Sequence, residues 1–178
     1  MKKILILEGS ARANGNSCIL SEEFARGAAE AGHSVEKVMV ARKKLSGCLG
    51  CNACYRNGGT CVQKDDMEEI RAKMLEADVI VLASPIYFYS MTAQMKTLID
   101  RTYAFFNQLA GKTFYFIVTC AATDASFTGT MLASLRGFTC CVPEAKEGGV
   151  VLGIGAMEAG EVRTSAAMQQ AYEMGKNV

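Results

Sequence analysis

The chain alternates short apolar runs, rich in Val and Ile, with amphipathic stretches of helical length, and this alternation limits the folds it can adopt. The clearest run extends from Asp78 to Ala83 and predicts a buried strand. Four further runs predict strands at Ile4–Leu7, Val35–Val40, Phe114–Thr119 and Val150–Leu152. Continuous apolar strands are typical of a parallel sheet that helices cover on both faces. The predicted fold class is therefore α/β, with three layers.

The stretches between these strands predict helices. They are Ser17–Ala31, a segment opened by a capping box of Asp65 and Glu68, a segment with Met91, Met95, Leu98 and Phe105 on one face, a segment through Phe127 and Phe138, and Glu161–Met174. Five β–α units in 178 residues imply a single domain, residues 1–178, with an open, doubly wound sheet. With five strands the flavodoxin-like order 2-1-3-4-5 is favoured. Ligands bind outside the carboxyl ends of such strands, so we expect the chemistry in the loops after strands one, three and four.

The charge balance excludes some classes of partner. Nineteen Lys and Arg against eighteen Asp and Glu leave a net charge of +1, so we expect neither nucleic acid nor an anionic membrane surface as a partner. No apolar run approaches the roughly 20 residues of a membrane-spanning helix. The first residues are too short for the apolar core of a signal peptide, which needs roughly 7–15 residues. We therefore expect a cytoplasmic protein.

The segment Gly9–Ser17, between the first predicted strand and helix, has the composition of a phosphate-binding loop. It offers backbone N–H groups at a helix N-terminus, the hydroxyls of Ser10 and Ser17, and the charge of Arg12. Neither a Walker motif nor a Gly-x-Gly-x-x-Gly fingerprint is present, which favours a ligand with a single phosphate, such as FMN. The alternative is an ordinary polar turn before a helix capped by Asn16 or Ser17.

A second loop, Ser84–Ser90, follows the clearest strand and is rich in aromatic residues. Tyr87, Phe88 and Tyr89 are well placed there to flank a planar ring, while Pro85 would hold the turn rigid and backbone amides would face the polar edge of the ring. The alternative is that these side chains pack over the edge of the sheet or at a subunit interface.

Four of the eight cysteines fall within the segment 47–63 and read Cys-x2-Cys-x2-Cys-x6-Cys; they are Cys48, Cys51, Cys54 and Cys61. Zinc ribbons usually have two widely separated pairs, whereas this compact run is typical of ferredoxin-type clusters, although Val62 replaces the proline that follows the fourth cysteine in bacterial ferredoxins. Free thiols, a disulfide or zinc remain as alternatives. We expect Cys120, Cys140 and Cys141 to be buried thiols.

The motif Gly9-Ser10-x-Arg12-x-x-Gly15-Asn16-Ser17, the sequence Ser84–Tyr87 and the Lys96/Asp100-Arg101 helix together resemble the NAD(P)H-dependent FMN reductases. The cysteine spacing, between the second strand and its following helix, resembles the iron–sulfur flavoproteins. The resemblance implies FMN contacts from Ser10, Arg12, Gly15, Asn16, Ser17 and Cys18, from Pro85, Ile86, Tyr87, Phe88 and Tyr89, and from Cys120 and Ala121. It also implies a 4Fe–4S cluster on the four clustered cysteines and a homodimer or homotetramer. Two departures are Ala11, where the family usually has proline, and the Cys120–Ala122 loop, where relatives often have glycines.

These features predict an FMN-dependent oxidoreductase, with NAD(P)H as co-substrate or a reduced carrier as donor, and a small molecule or protein as electron acceptor. One alternative is a non-catalytic redox sensor or electron carrier in which flavin and thiols report to a protein partner. A third hypothesis is a binding module stabilised by zinc.

Overall fold

The computed structural model describes residues 1–178 and confirms the predicted sheet. Five parallel strands pair in the order β2-β1-β3-β4-β5. Their bounds are β1 Lys3–Glu8, β2 Ser34–Met39, β3 Val79–Pro85, β4 Thr113–Thr119 and β5 Lys146–Gly153. Each predicted strand is present, and the chain has the flavodoxin-like order that its five β–α units favoured.

Six α-helices connect or flank the strands: α1 Asn16–Glu30, α2 Ala53–Arg56, α3 Met67–Glu76, α4 Ala93–Arg101, α5 Gly129–Thr139 and α6 Ala167–Lys176. Three of them are shorter than the sequence predicted, and in one of these, α5, the helix begins at Gly129, so that Phe127 lies in the 3-10 turn before it. Helix α4 ends at Arg101, so Phe105 lies beyond it, and the expected last helix is split into a 3-10 turn at Glu161–Thr164 and α6. The predicted capping box is also wrong, because Asp66 is the residue that precedes α3 and the Asp65 carboxylate accepts from the amide of Met67 rather than from that of Glu68.

The period-2 alternation of the strands divides the core into two layers. In β1, Leu5 and Leu7 belong to a cluster of 21 buried residues that also includes residues of α3, α4 and α5. Ile4 and Ile6 point to the other face and join a cluster of 17 buried residues with α1 and α6. Successive strand residues face opposite sides of a sheet, so helices cover both faces and the inner strands β1, β3 and β4 are buried over almost their whole length, whereas the edge strands β2 and β5 include exposed charged residues.

Helices α1 and α6 approach each other unusually closely, because each has a glycine at the contact. A Cβ added to Gly27 would lie 2.1 Å from the carbonyl oxygen of Tyr172, and one added to Gly175 would lie 2.0 Å from that of Phe24. Only glycine leaves room for this contact. It fixes α1, and with it the loop that precedes α1.

The order of the sheet also determines where a crevice opens. The chain leaves β1 for α1 on one face of the sheet and leaves β3 for α4 on the other face. The loops that follow these two adjacent strands therefore diverge and leave a cleft at the carboxyl edge. None of the six helices combines the length and apolarity that spanning a membrane would need.

Candidate functional site

A cleft of about 220 Å³ lies at the carboxyl edge of the sheet. Loops after four strands line it, with Ser10, Arg12, Gly15, Asn16 and Ser17 after β1, Pro85, Ile86 and Tyr87 at β3, Thr119, Cys120 and Ala121 at β4, and Ala156 and Met157 after β5. The phosphate loop and the aromatic loop singled out in the sequence thus meet in one site. Cys18, Phe88 and Tyr89 are not among the lining residues.

The most informative side chain in this cleft is Ser17. Its residue is 1% exposed, and its hydroxyl has no hydrogen-bond partner. The residue that caps the helix is Gly15, which contributes no side-chain cap, rather than Asn16 or Ser17 as in the alternative of an ordinary polar turn. A buried hydroxyl without a partner costs about 1–3 kcal/mol, and the first amides of a helix also lack internal partners. This corner therefore offers a set of hydrogen-bond donors to an anion.

The loop between β1 and α1 is held in shape by its own hydrogen bonds. The Ser10 hydroxyl lies 3.1 Å from both the amide nitrogen and the carbonyl oxygen of Arg12. A Cβ on Gly15 would come within 2.6 Å of that hydroxyl, so the turn needs glycine for space. The Arg12 side chain is exposed and makes only a long contact, 3.4 Å, with the carbonyl of Met157. Its guanidinium is therefore available to a phosphate.

Asn16 has a structural task that the sequence did not reveal. Its side-chain nitrogen donates to the carbonyl oxygens of Ala156 at 3.1 Å and Glu158 at 2.9 Å. Its side-chain oxygen accepts from the amides of Gly160 at 3.0 Å and Val162 at 3.4 Å. The amide group thus fastens the loop after β5 to the start of α1. Only the backbone N–H of Asn16 is left for a ligand.

Cys18 likewise has no thiolate to offer. Burial, reinforced by the nearby Glu8 carboxylate, raises the pKa of its thiol to about 11. The sulfur lies 3.6 Å from the Arg12 carbonyl, to which the S–H donates. At neutral pH this residue is a protonated thiol, and its possible contribution to anion binding is its backbone amide.

The aromatic loop forms a tight turn with an unusual backbone. Tyr87 and Ser90 exchange two backbone hydrogen bonds, of 2.8 and 3.0 Å, and the residues between them are left-handed, with φ of 48° at Phe88 and 63° at Tyr89. This conformation costs about 1–2 kcal/mol per non-glycine residue. It exposes Phe88 completely and stacks Tyr89 on Phe127 with ring centroids 5.8 Å apart. Only Tyr87 of the three aromatic residues faces the cleft.

We expected the backbone amides of this loop to be free to face the polar edge of a ring, but two of them are used within the protein. The amide of Ile86 donates to the Thr119 carbonyl, and that of Tyr87 donates to Ser90, so neither is available to a ligand. The amides of Phe88 and Tyr89 have no partner among the hydrogen bonds of the protein. The unpaired amide donors of this turn are therefore those of Phe88 and Tyr89, not those of Ile86 and Tyr87.

Three residues that line the cleft were not predicted from the sequence, namely Thr119, Ala156 and Met157. Thr119 ends β4, directly before the predicted Cys120 and Ala121. Ala156 and Met157 follow β5, whose loop was not among those expected to carry chemistry. The rule that ligands bind at the carboxyl ends of parallel strands, applied to all five strands, would have found them.

The cysteine segment lies between β2 and α3, as expected, and its four cysteines line one small cavity of about 30 Å³ together with Arg101, Tyr103 and Ala104. Cys48 and Cys51 are exposed, while Cys54 and Cys61 are partly buried. Left-handed backbone at Gly50, Asn52, Gly58 and Gly59 lets the segment fold back on itself around the short helix α2. The spacing in sequence is thus matched by proximity in space.

The thiols share a cavity but do not converge on a single point. No three His, Cys, Asp or Glu side chains are arranged to hold one metal ion. A zinc ion requires its sulfur ligands at about 2.3 Å from one centre. All eight cysteines are free; Cys120 is buried as expected, but Cys140 and Cys141 are exposed. The expectation of buried thiols is wrong for this pair because α5 ends at Thr139 and leaves both residues in a surface turn.

The sheet order and the anion-binding corner together define a protein of the flavodoxin-like class. Residues 2–137 match the family described as NADPH-dependent FMN reductase, and the chain belongs to this family. Two similar proteins are iron-sulfur flavoproteins. One, from Archaeoglobus fulgidus, is 44% identical over 101 residues, which are 57% of this chain and 45% of the relative. The other, from Methanocaldococcus jannaschii, is 43% identical over 100 residues, which are 56% of this chain and 51% of the relative.

Solved structures agree with the fold. RosB with a bound riboflavin-phosphate intermediate superposes with a TM-score of 0.78 at 15% identity, covering 98% of this chain and 76% of RosB. An FMN-dependent NADH-azoreductase from Bacillus anthracis, solved with FMN, gives a TM-score of 0.71 at 13% identity and covers 99% of both chains. At such identities the likeness concerns the fold alone. The chain spans about half the length of the curated relatives it matches.

Proposed function

We propose that this protein is an FMN-dependent oxidoreductase that takes electrons from NAD(P)H or a reduced carrier and delivers them to a small-molecule or protein acceptor. The observation that carries the proposal is the buried, partnerless hydroxyl of Ser17 at the N-terminus of α1, in the same cleft as the exposed guanidinium of Arg12, whose hydrogen bond to the Met157 carbonyl is long at 3.4 Å. These groups fit a phosphate monoester such as that of FMN. Membership of the FMN reductase family supports the same ligand.

The residues of the cleft divide between the two ends of the cofactor. Ser17, Arg12 and the amides that open α1 would hold the phosphate, and Ser10 and Gly15 shape that loop. The ring would lie between Pro85–Tyr87 on one side and Cys120–Ala121 on the other. When bound, FMN supplies the redox chemistry, because it accepts two electrons and can release them one at a time. The protein contributes binding, orientation and exclusion of water.

The unpaired amides of Phe88 and Tyr89 lie in the turn directly after Tyr87, which lines the cleft, and we propose them as donors to the polar edge of the ring. Hydrogen bonds there stabilise negative charge that develops on the ring during reduction. The strained backbone of this turn supports a role in binding the ring, since two left-handed aromatic residues persist only where the surrounding structure holds them in that conformation.

We further propose that Cys48, Cys51, Cys54 and Cys61 hold a 4Fe–4S cluster. Support comes from their compact spacing, from the cavity that all four line, and from the similarity to proteins named iron-sulfur flavoproteins. A cluster in this position supplies one-electron transfer. The chain's part is to present four thiolates from a segment that its glycines allow to fold back.

The remaining features of the proposal concern context. The eight free cysteines suit a reducing compartment, and we assign the protein to the cytoplasm. Residues 1–178 would act as one FMN-binding domain. The exposed aromatic rings at Tyr87, Phe88 and Tyr89 support a homodimer or homotetramer, in which a second subunit covers them.

Anaerobic purification with quantification of flavin, iron and sulfide tests both cofactors together. We expect about one FMN and about four iron and four sulfide per chain. The variant C54A should lose the iron and keep the flavin, while C141A, which alters an exposed cysteine outside the segment, should keep both. A chain that takes up no FMN on reconstitution would refute the enzyme, and one zinc per chain without iron would refute the cluster.

Steady-state oxidation of NAD(P)H with quinone, azo and ferric acceptors tests the activity. Turnover supports the oxidoreductase. Flavin that is reduced only by a protein donor such as ferredoxin, without turnover of pyridine nucleotide, would indicate an electron carrier instead.

A further inference from the structure

Arg101, the last residue of α4, lies buried beneath the cysteine segment. Its side chain is 1% exposed, although arginine is rarely this buried without a specific set of partners. Its Nη1 and Nη2 atoms donate to the two carboxylate oxygens of Asp65 at 2.6 and 3.0 Å. Nη1 also donates to the carbonyl oxygen of Ser46 at 2.7 Å. The guanidinium therefore contacts both flanks of the segment.

Asp65 completes this connection. Its carboxylate accepts from the amide of Ser46 at 3.0 Å and from that of Met67 at 3.2 Å. Ser46 directly precedes the cysteine segment and Asp65 follows it. Both residues are bound to Arg101, so the Arg101–Asp65 ion pair joins the two ends of the segment. Because this pair lies inside the protein, it is not screened as a surface ion pair would be.

One donor of this arginine remains unused. The Nε atom of Arg101 is buried and has no hydrogen-bond partner. Arg101 lines the small cavity with all four cysteines, and it also lines a second cavity that contains Cys61. An unpaired donor on a buried cation is costly, and a ligand or a thiolate that accepts a hydrogen bond from it offsets this cost.

We propose that Arg101 is a positioning residue for the cysteine site: its Nη atoms fix the two ends of the segment, and its Nε–H, which has no partner within the protein, would donate to the sulfur of Cys61 when the site is loaded. This inference rests on the proposed function, since it takes Cys61 as a ligand of the cluster. Hydrogen bonds to ligand sulfurs and buried positive charge both favour the reduced, more negative state of a cluster. Arg101 therefore raises the reduction potential of the site, whereas the charge of Asp65 lowers it.

The opposite signs of these two charges provide the test. In anaerobically purified protein, R101Q should make the equilibrium constant for one-electron reduction of the cluster about tenfold less favourable, a fall of about 59 mV. D65N should shift the potential upward. R101K keeps the positive charge but lacks the two Nη donors and the Nε–H, so its reduction potential should lie between those of R101Q and the wild type. R26Q, at an exposed arginine of α1 that pairs with Glu23 and Glu30, is the control and should leave the potential unchanged.

Potentials are measured by titration monitored with electron paramagnetic resonance, and iron and sulfide are counted in each sample. Shifts of the same sign in R101Q and D65N, or no shift in either, would overturn the electrostatic role, because mere loosening of the segment does not distinguish the two charges. If R101Q does not fold, the comparison of R101K and D65N still decides the sign.

The role of Arg101 in joining the two ends of the cysteine segment can be tested in protein that contains no cluster. Trypsin should cut the iron-free chain after the exposed Arg56 about tenfold faster in R101Q than in the wild type. Equal cleavage rates would overturn this part of the inference. A wild-type protein that contains no iron after anaerobic preparation would refute the proposed cluster and the Nε–H contact with it, and the cleavage rates would then report on the connection alone.

Discussion

Replacing Ser17 by alanine should have opposite effects on the empty protein and on its complex with FMN. In the empty protein the Ser17 hydroxyl is buried and has no partner. Because such a group costs about 1–3 kcal/mol, S17A should raise the free energy of unfolding by about 1 kcal/mol. In the complex the same hydroxyl would bind a charged phosphate oxygen, a contact worth about 1.5–3 kcal/mol. The Kd for FMN should therefore rise about ten- to hundredfold.

Two assays measure these effects separately. Urea denaturation of flavin-free protein gives the free energy of unfolding, and quenching of flavin fluorescence during titration gives the Kd. Ser21 on the same helix provides the matched control, because its hydroxyl is equally buried but donates to the Glu8 carboxylate at 2.5 Å. S21A should lower the free energy of unfolding by about 1–3 kcal/mol and leave the Kd for FMN unchanged.

The reasoning would be refuted if S17A destabilised the empty protein as S21A does and left FMN affinity intact. That outcome would mean that the Ser17 hydroxyl supports the helix rather than a ligand. A weaker Kd in both variants would indicate that movement of α1, and not a lost contact, controls binding.

Four further predictions follow from other parts of the structure. N16A should lower the free energy of unfolding by about 2–4 kcal/mol in urea denaturation, because it unpairs several backbone groups of the loop after β5; an unchanged midpoint would contradict this. G175A should cost more than the roughly 1–3 kcal/mol of ordinary overpacking, since its Cβ would meet a carbonyl oxygen at 2.0 Å, whereas G137A, with no atom within 4 Å, should be neutral or stabilising by thermal melting. Cys18, with a pKa of about 11, should be the last cysteine labelled by iodoacetamide at pH 8, as mass spectrometry would show. Burial alone would raise the pKa of Asp65, but hydrogen bonds from Arg101 and two amides outweigh it and hold the pKa below the usual 3.8; the stability difference between the wild type and D65N should therefore be full above that pH and narrow as the pH falls below it.

The fold could be predicted from the sequence because its signals are local and repeated. A short run rich in Val and Ile such as Asp78–Ala83 favours a buried strand, and five such runs separated by helical stretches leave few topologies. The ends of the helices were predicted less accurately than the strands. Asp65 has the spacing of a capping residue to Glu68, but its carboxylate is used by Arg101, 36 residues away, and no local pattern reports such a partner.

The candidate site was predictable to the extent that its residues belong to continuous loops. Ser10, Arg12 and Ser17 line the cleft because the chain itself brings them there. The role of Asn16 depends on a loop about 140 residues further along the chain, so its type and spacing gave no sign of it. The same holds for Met157, which reaches the cleft only because β5 lies beside β4 in the sheet.

Helix α4 connects the two sites and explains how they can be studied separately. At its start, Thr92 donates from its hydroxyl to the carbonyl of Gly9 at 2.8 Å and so supports the phosphate loop. At its end, Arg101 holds the cysteine segment. Nine helical steps of about 1.5 Å place these anchors about 14 Å apart on one rigid element. A change that shifts the whole helix would disturb both sites together, whereas S17A and R101Q each alter a group at one site only. If each variant changes both the flavin affinity and the cluster potential, movement of α4 is the common cause. If each variant changes only one of these two quantities, the effects come from separate local contacts.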